Sequence, residues 1–277
     1  MALTFPNIDP VAFEIGPLVI RWYALAYLAG FLGGWKYAMH LAGLSPNNRP
    51  TKDDIDNFLP FTVLGVILGG RLGYVLFYQP SLYAANPLDA LKVWEGGMAF
   101  HGGALGVIIA LIAFSWVKKI QLLRLSDIVC ACVPIGIFFG RIANFINGEL
   151  FGRPSDVPWA MAFPRGGEVA RHPSQIYEAL LEGALLFAIL LILIKNNWIR
   201  SRPGIVTGSF LVGYGAFRMF VEQYRQPDAH LGFIIDEISM GQLLSLPMIL
   251  VGLGVIIYGL VKGRHARKRE GETAKRP

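Results

Sequence analysis

Apolar residues run along this 277-residue chain in stretches of about twenty, separated by short segments rich in Gly, Pro and charge. A helix needs about 20 consecutive apolar residues to cross a hydrocarbon core of about 30 Å, whereas barrel strands show alternating segments of about ten. The pattern predicts an all-α fold, a polytopic membrane helix bundle of about seven transmembrane helices. The spans fall at about 17–41, 57–78, 98–117, 125–146, 174–194, 204–222 and 240–261. No linker or composition shift divides the chain, so residues 1–277 are expected to form a single integral membrane domain. Between spans, 79–97 and 147–173 are the longest segments, and the second is long enough for a small folded cap.

Charge orients the bundle. Asp9 and Glu14 precede Arg21 with no Lys or Arg, so the basic region of a secretory signal peptide is missing and the first span is expected to stay in the chain. With the N-terminus outside, the inner segments hold Arg49, Lys52, Lys118, Lys119, Arg124, Lys195, Arg200, Arg202 and the cationic tail from Lys262 to Arg276. The outer segments hold only Lys92, Arg153, Arg165, Arg171 and Arg225. This asymmetry matches the positive-inside rule and predicts N-terminus out, C-terminus in. Hydrophobic residues make up 54% of the chain and mean hydropathy is +0.48, as a membrane protein requires. The net charge of +6 is read as a cytoplasmic basic tail, 262–277, held by anionic headgroups. No nucleic-acid-binding motif accompanies it, so no nucleic acid is expected as a partner.

Small residues recur four apart at Gly30 and Gly34, Gly65, Gly69 and Gly73, Gly136 and Gly140, and Gly204 and Gly208, a spacing that lets helix backbones approach closely. Cys130 and Cys132 sit in an apolar run without a His or Lys nearby, and are read as buried hydrophobes. The five His residues show no metal-ligand spacing, and neither a metal nor a cofactor is expected.

Polar residues inside the apolar spans cluster on the expected outer side: Tyr23, Arg71, His101, Arg141, Asn144, His172, Gln175, Tyr177, Glu178, Glu182, Tyr214, Arg218 and Glu222. A transporter would place such groups near the midplane, on broken helices. The distribution favours a site open to the outer leaflet, with a lipid transporter or flippase as the alternative. Arg71, Arg141 and Arg218 would together cost about 8–10 kcal/mol if unpaired in the bilayer. Glu149, Glu182 and Glu222 are available to neutralise some of them, and Arg218 and Glu222, four apart, share a helix face. Arg141 has no acid at that spacing, and a guanidinium without an intrahelical partner suits a phosphate. Asn144 and Asn147 either orient a headgroup or cap the end of the fourth span; Glu178 and Glu182 read as ion-pair partners for buried cations. His101, between glycines at a helix entrance, is either a base or a hydrogen-bonded structural residue.

The runs RWYALAY, GGRLGYVLFY, WEGGMAFHGG, GRIANFINGELFGR, RHPSQIYEALLEG, GYGAFRMFVEQYRQPD and ISMGQLLSLPM together resemble bacterial prolipoprotein diacylglyceryl transferase from end to end. The resemblance implies a seven-helix enzyme of the bacterial cytoplasmic (inner) membrane with its active site facing the periplasm. It implies transfer of the sn-1,2-diacylglyceryl group of phosphatidylglycerol to the lipobox cysteine of a prolipoprotein signal peptide, releasing glycerol phosphate. A glycerophosphoryl transferase acting on the same lipid is disfavoured, because the metal-binding carboxylate clusters expected of one are not found. Carried over by the motifs are Arg141 as lipid ligand and Tyr23, His101, Asn144, Glu149, Gly152, Tyr214, Arg218 and Glu222 as functional positions. The segment between Gly152 and His172 is shorter than in some relatives, so peptide contacts there do not carry over.

Overall fold

The computed structural model describes residues 3–6, 8–46, 49–226, 233–235 and 238–273, with side chains omitted for 233–235, 238 and 264–273. The tail cations beyond Lys262, His230, and Pro227 and Asp228 of the RQPD run lie outside the described residues or side chains. The chain folds as two compact units, Met1–Ala38 with Asp127–Pro277, and Met39–Ser126.

The long helices are α1 (Trp22–Ala42), α2 (Lys52–Phe77), α3 (Phe100–Lys118), α4 (Leu122–Ile146), α5 (Ser174–Lys195), α6 (Ile205–Val221) and α7 (Met240–Thr273). Among the described residues, α2, α3, α4, α5 and the Met240–Gly263 part of α7 are long and apolar enough to cross a membrane. Leu64, Leu68, Leu72 and Leu76 of α2 are all more than half exposed, and only 17% of that helix's apolar window is buried. A bare apolar face of this extent fits lipid as its solvent. The α6 helix, at 17 residues, falls short of the span length, and α1 carries Tyr23, Tyr27, Lys36 and His40 among its apolar residues.

The first span begins later than the apolar run indicates. Val11–Ile15 (β2) and Leu18–Arg21 (β3) form an antiparallel hairpin, and helix begins only at Trp22. Gly16, with φ +58°, supplies the left-handed turn residue, and Pro17 after it disfavours helix. Leu3–Thr4 (β1) pairs in parallel with Met161–Ala162 (β4) of the expected cap segment. A last hairpin, Phe233–Ile235 (β5) with Ile238–Ser239 (β6), leads into α7.

Backbone proximity explains the glycines. In the unit Met39–Ser126, α2 packs on α3 so closely that a Cβ on Gly69 would lie 2.3 Å from the Gly102 carbonyl oxygen, and one on Gly65 2.6 Å from that of Gly106. The glycine after His101 therefore admits a neighbouring backbone. In the other unit, a Cβ on Gly30 would lie 3.1 Å from Gly136 Cα, and one on Gly208 2.5 Å from the Gly252 carbonyl oxygen. Gly140 differs, having open space where a Cβ would go. The α6 N-terminus is capped from α4: Asp127 accepts bonds from the Gly204 and Thr207 amides at 2.8 and 2.7 Å. Such a cap satisfies donors that a helix start otherwise leaves unpaired.

Replacing Gly102 by Leu is expected to lower the thermal midpoint of the detergent-solubilised protein, with overpacking of about 1–3 kcal/mol or more. Gly254→Ala, at a position with no atom within 4 Å of the added carbon, should leave the midpoint within about 0.5 kcal/mol of the parent.

Candidate active site

In the larger unit, helix ends that the chain direction alternates meet in one place: the starts of α1, α5 and α7 and the ends of α4 and α6. Desolvated charge gathers there. Arg141 Nη2 of α4 lies 2.7 Å from Glu178 Oε2 of α5, and Arg218 Nη1 of α6 lies 3.2 Å from that same oxygen. Arg218 Nη2 also pairs with Glu222 Oε2 at 2.8 Å, as their four-residue spacing indicates. Glu182 Oε1 is 3.8 Å from Arg218 Nη1, and Arg225 sits 3.8 Å from Glu178 and 3.9 Å from Glu222. Glu178 and Glu182 are fully buried, whereas the Arg141 side chain keeps 21% of its surface open. The arginine without an acid at helical spacing on its own helix thus has one on the next helix. Gly241, opening α7, lies against the Glu222 carboxylate, where a Cβ would come within 2.7 Å of Oε2.

The two acids of α5 face the cations as ion-pair partners, but not through ordinary α-helical spacing. Residues Ala179–Leu185 form a π-helical segment that starts after Glu178 and contains Glu182. A π segment accommodates an extra residue in one turn and recurs at functional sites. Here it brings both carboxylates within reach of one guanidinium.

Beyond Arg141 the chain turns through Gly148 (φ +61°) and Leu150 (φ +57°). Ser174 and Gln175 of α5 pin this turn by donating to the carbonyls of Leu150 at 3.1 Å and Glu149 at 2.6 Å. The Glu149 side chain accepts from Asn144 at 2.9 Å and Asn147 at 3.4 Å, and faces Arg165 at 3.5 Å. Asn144 also bridges back to Arg141, its Oδ1 accepting at 3.5 Å. Tyr23 interacts electrostatically with Asn144 and Glu149, and its hydroxyl lies 3.3 Å from that of Tyr27. Tyr214 lies among Glu182, Arg218, Arg141 and Glu178. Gly152 is constrained by space: a Cβ there would meet the Tyr224 carbonyl at 2.4 Å and His172 at 2.7 Å.

A cap of loops closes over this end. Arg153 donates to the carbonyls of Arg225 and Glu222 at 2.9 and 3.3 Å, tying the segment after α4 to the end of α6. Tyr177 shares its hydroxyl with Trp159 Nε1 at 2.6 Å and His172 Nδ1 at 3.1 Å. Burial lowers the pKa of His172, against a smaller opposing pull from Asp156.

His101 belongs to the other unit. It is exposed in the first turn of α3, its ring edge-on to Phe100 at 5.7 Å. Arg71, in that unit too, is buried without an acid pair: it donates to the carbonyls of Asp89 at 2.6 Å, Ala90 at 2.9 Å and Gly96, fastening the loop that leads to His101. The structure brings Tyr23, Asn144, Asn147, Glu149, Gly152, Tyr214, Arg218 and Glu222 together around Arg141 and adds Arg225 and Arg153, which the sequence reading treated only as loop charges. The available signal was Arg225 three residues after Glu222. Among the described residues no group of three His, Cys, Asp or Glu could hold a metal ion.

Comparison with known proteins bears directly on this arrangement. The family profile described as Prolipoprotein diacylglyceryl transferase matches residues 10–258. The phosphatidylglycerol--prolipoprotein diacylglyceryl transferase of Paramagnetospirillum magneticum is 56% identical over 266 residues, covering 96% of this chain and 98% of the relative. The proteins of the same name from Azospirillum brasilense and Pseudoalteromonas translucida are each 56% identical, over 92% and 93% of this chain and 96% and 95% of their own lengths. With the family match spanning nearly all of the helices and the whole arginine–glutamate cluster, this chain belongs to the prolipoprotein diacylglyceryl transferase family.

Proposed function

We propose that this chain transfers the sn-1,2-diacylglyceryl group of phosphatidylglycerol to the lipobox cysteine thiol of a prolipoprotein, the first step of bacterial lipoprotein maturation. It is a transferase of the bacterial cytoplasmic membrane with seven spans, N-terminus out and C-terminus in. Its site opens to the periplasmic side. Seven spans require α1 and α6 to cross together with the five helices that are long and apolar enough. The positive-inside distribution supports the orientation.

The observation that carries the reading is the convergence of Arg141 and Arg218 on one carboxylate oxygen, at 2.7 and 3.2 Å. Two guanidiniums that share one charged oxygen of Glu178 can share an oxygen of a phosphate diester in the same way. The substrate thiol sulfur attacks the glyceryl carbon bonded to the phosphate oxygen, the C–O bond breaks, and glycerol phosphate leaves with its electron pair. Holding a thiol of pKa near 8.5 as thiolate at pH 7 costs about 2 kcal/mol. Lowering the barrier as enzymes do requires at least ~8 kcal/mol. Most of the acceleration therefore falls to positioning and to neutralising the departing phosphate, a task for Arg141 and Arg218.

The remaining roles follow from position within the larger unit and, for His101, from the family motif alone. Asn144, Asn147 and Glu149 hold the turn beside Arg141 and meet the headgroup glycerol, with Tyr23 beside them and Tyr214 within the arginine–glutamate cluster. Glu222 orients Arg218. Gly152 lets the cap strand pass. His101 is the candidate acceptor for the thiol proton.

Purified protein, phosphatidylglycerol and a synthetic lipobox peptide should yield a peptide heavier by one diacylglyceryl group, with stoichiometric glycerol phosphate. Peptide of unchanged mass would defeat the reading. Arg141→Ala should lower turnover by about 10- to 150-fold, since a charged hydrogen bond contributes about 1.5–3 kcal/mol and each 1.36 kcal/mol is tenfold in rate. Near-parental turnover in this variant would remove the arginine clamp. His101→Asn is expected to retain more activity than either Arg141→Ala or Arg218→Ala, measured by the same mass assay. The reverse ranking would move the main burden to proton transfer.

A further inference from the structure

The arginine–glutamate cluster contains one acid that its geometry leaves over. Arg141, Arg218 and Arg225 face Glu178, Glu182 and Glu222, so three full charges of each sign would cancel. A neutral cluster has no net attraction for an anionic phosphate diester. The three acids are unequal. Glu178 has a guanidinium nitrogen at 2.7 Å and Glu222 has one at 2.8 Å. Glu182 is fully buried, and among the described residues its closest cation is 3.8 Å away and neither of its oxygens makes a hydrogen bond. The nearby Arg218 nitrogen lies closer to Glu178, at 3.2 Å. A charged carboxylate held away from water and without donors loses its solvation and regains little of it. The groups that face Glu182 are Glu178 on its own helix, Arg141 on α4, Arg218 and Tyr214 on α6, and Arg225 after α6. Each of these except Glu178 and Tyr214 already pairs more closely with another acid or lies beyond it.

We infer that Glu182 carries a proton when the cluster holds a phosphate diester, and so leaves the three arginines the one positive charge that the diester neutralises. The inference rests on the reading of Arg141 and Arg218 as phosphate ligands and adds a charge-setting, positioning role for a residue of the π segment. The proton comes from solvent and adds to a Glu182 carboxylate oxygen; no other bond changes. The cluster passes from net zero with three carboxylates charged to net zero with two carboxylates and one diester. Lipid affinity is thereby linked to pH, falling as rising pH strips the proton.

The test is calorimetric titration of phosphatidylglycerol in detergent micelles into the purified full-length protein, with phosphatidylcholine as the zwitterionic control. Running it in two buffers of different ionisation enthalpy reads the protons taken up, expected at about one per lipid where the free protein is unprotonated, with affinity falling about tenfold per pH unit beyond that point. Glu182→Gln, neutral at every pH and of the same shape, is expected to take up no proton and to bind more tightly than the parent at alkaline pH. Uptake of no proton by the parent, or an unchanged pH slope in Glu182→Gln, overturns the inference while leaving the arginine reading intact. Equal binding by the parent and Arg141→Ala overturns that reading and this inference with it. Should Glu182→Gln fail to fold, proton uptake by the parent decides alone.

Discussion

Arg218 sets the terms for the rest of the structure. Its guanidinium is largely withdrawn from solvent near the end of an apolar helix, where an unpaired charge is among the most costly groups a membrane protein can hold. It is tolerated because Glu222 comes from its own helix at 2.8 Å and Glu178 from the neighbouring one at 3.2 Å. Those two acids then need cations themselves. Glu178 draws in Arg141 from α4, and both acids draw in Arg225 from the segment after α6. Removing one member leaves the others buried and unpaired, a cost of about 3–5 kcal/mol for such pairs. The ends of α4, α5 and α6 are thereby tied together by charge, at a place where lipid offers no hydrophobic force to do it.

The smaller unit solves the same problem by different means. Arg71 is as buried as any arginine among the described residues, yet among these it pairs with no carboxylate and satisfies its donors on the carbonyls of Asp89, Ala90 and Gly96. Charge directed at backbone dipoles fixes the shape of a loop rather than joining two helices. Helix contact in this unit comes instead from Gly65, Gly69, Gly102 and Gly106, whose missing side chains allow two backbones to touch. The larger unit uses both devices, with glycine contacts at Gly30 and Gly208 and the ion network at the helix ends. An assembly held partly by buried charge is selective about register, because sliding α5 by a turn would separate Glu178 from Arg141 and Arg218 at once.

Features repeating with the helical period were readable from the chain; features depending on distant segments were not. Apolar run length located α2 through α5 and the apolar part of α7, Met240–Gly263, to within about five residues, and the spacing of Arg218 and Glu222 announced their pairing. The start of α1 was misplaced because Leu18–Ile20 is as apolar as a span, while Gly16 and Pro17 divert it into a hairpin. Glu178 meeting Arg141 joins positions thirty-seven residues apart, with no local periodicity to signal it. The π segment was equally hidden. Glu178 and Glu182 stand four apart as on an α-helix, and only packing such as Gly183 against Phe138 distinguishes the wider turn. Gly152 was identified from its motif, but the crowding that excludes a Cβ comes from Tyr224 and His172, both remote in sequence.

Arginines already paired with acids must give up contact to bind an anion, yet on the proposed reading the pairing is what makes the site possible. Arginines left open in an apolar surround would gather water and counterions and would disperse by repulsion. Held by Glu178 and Glu222, they keep their spacing, and a diester meets guanidiniums whose desolvation was settled when the chain folded. On the proposed reading, binding is an exchange in which a phosphate oxygen takes the place of part of a carboxylate's contact, so the difference between two similar ion pairs sets the affinity. That difference stays modest, as turnover requires: a product phosphate carrying more charge than the substrate would otherwise be held too tightly to leave. On that reading, the same acids that make the arginines tolerable during folding compete with glycerol phosphate for them at the end of the reaction, and Glu178, bridging Arg141 and Arg218 through one oxygen, is placed to return as the product departs.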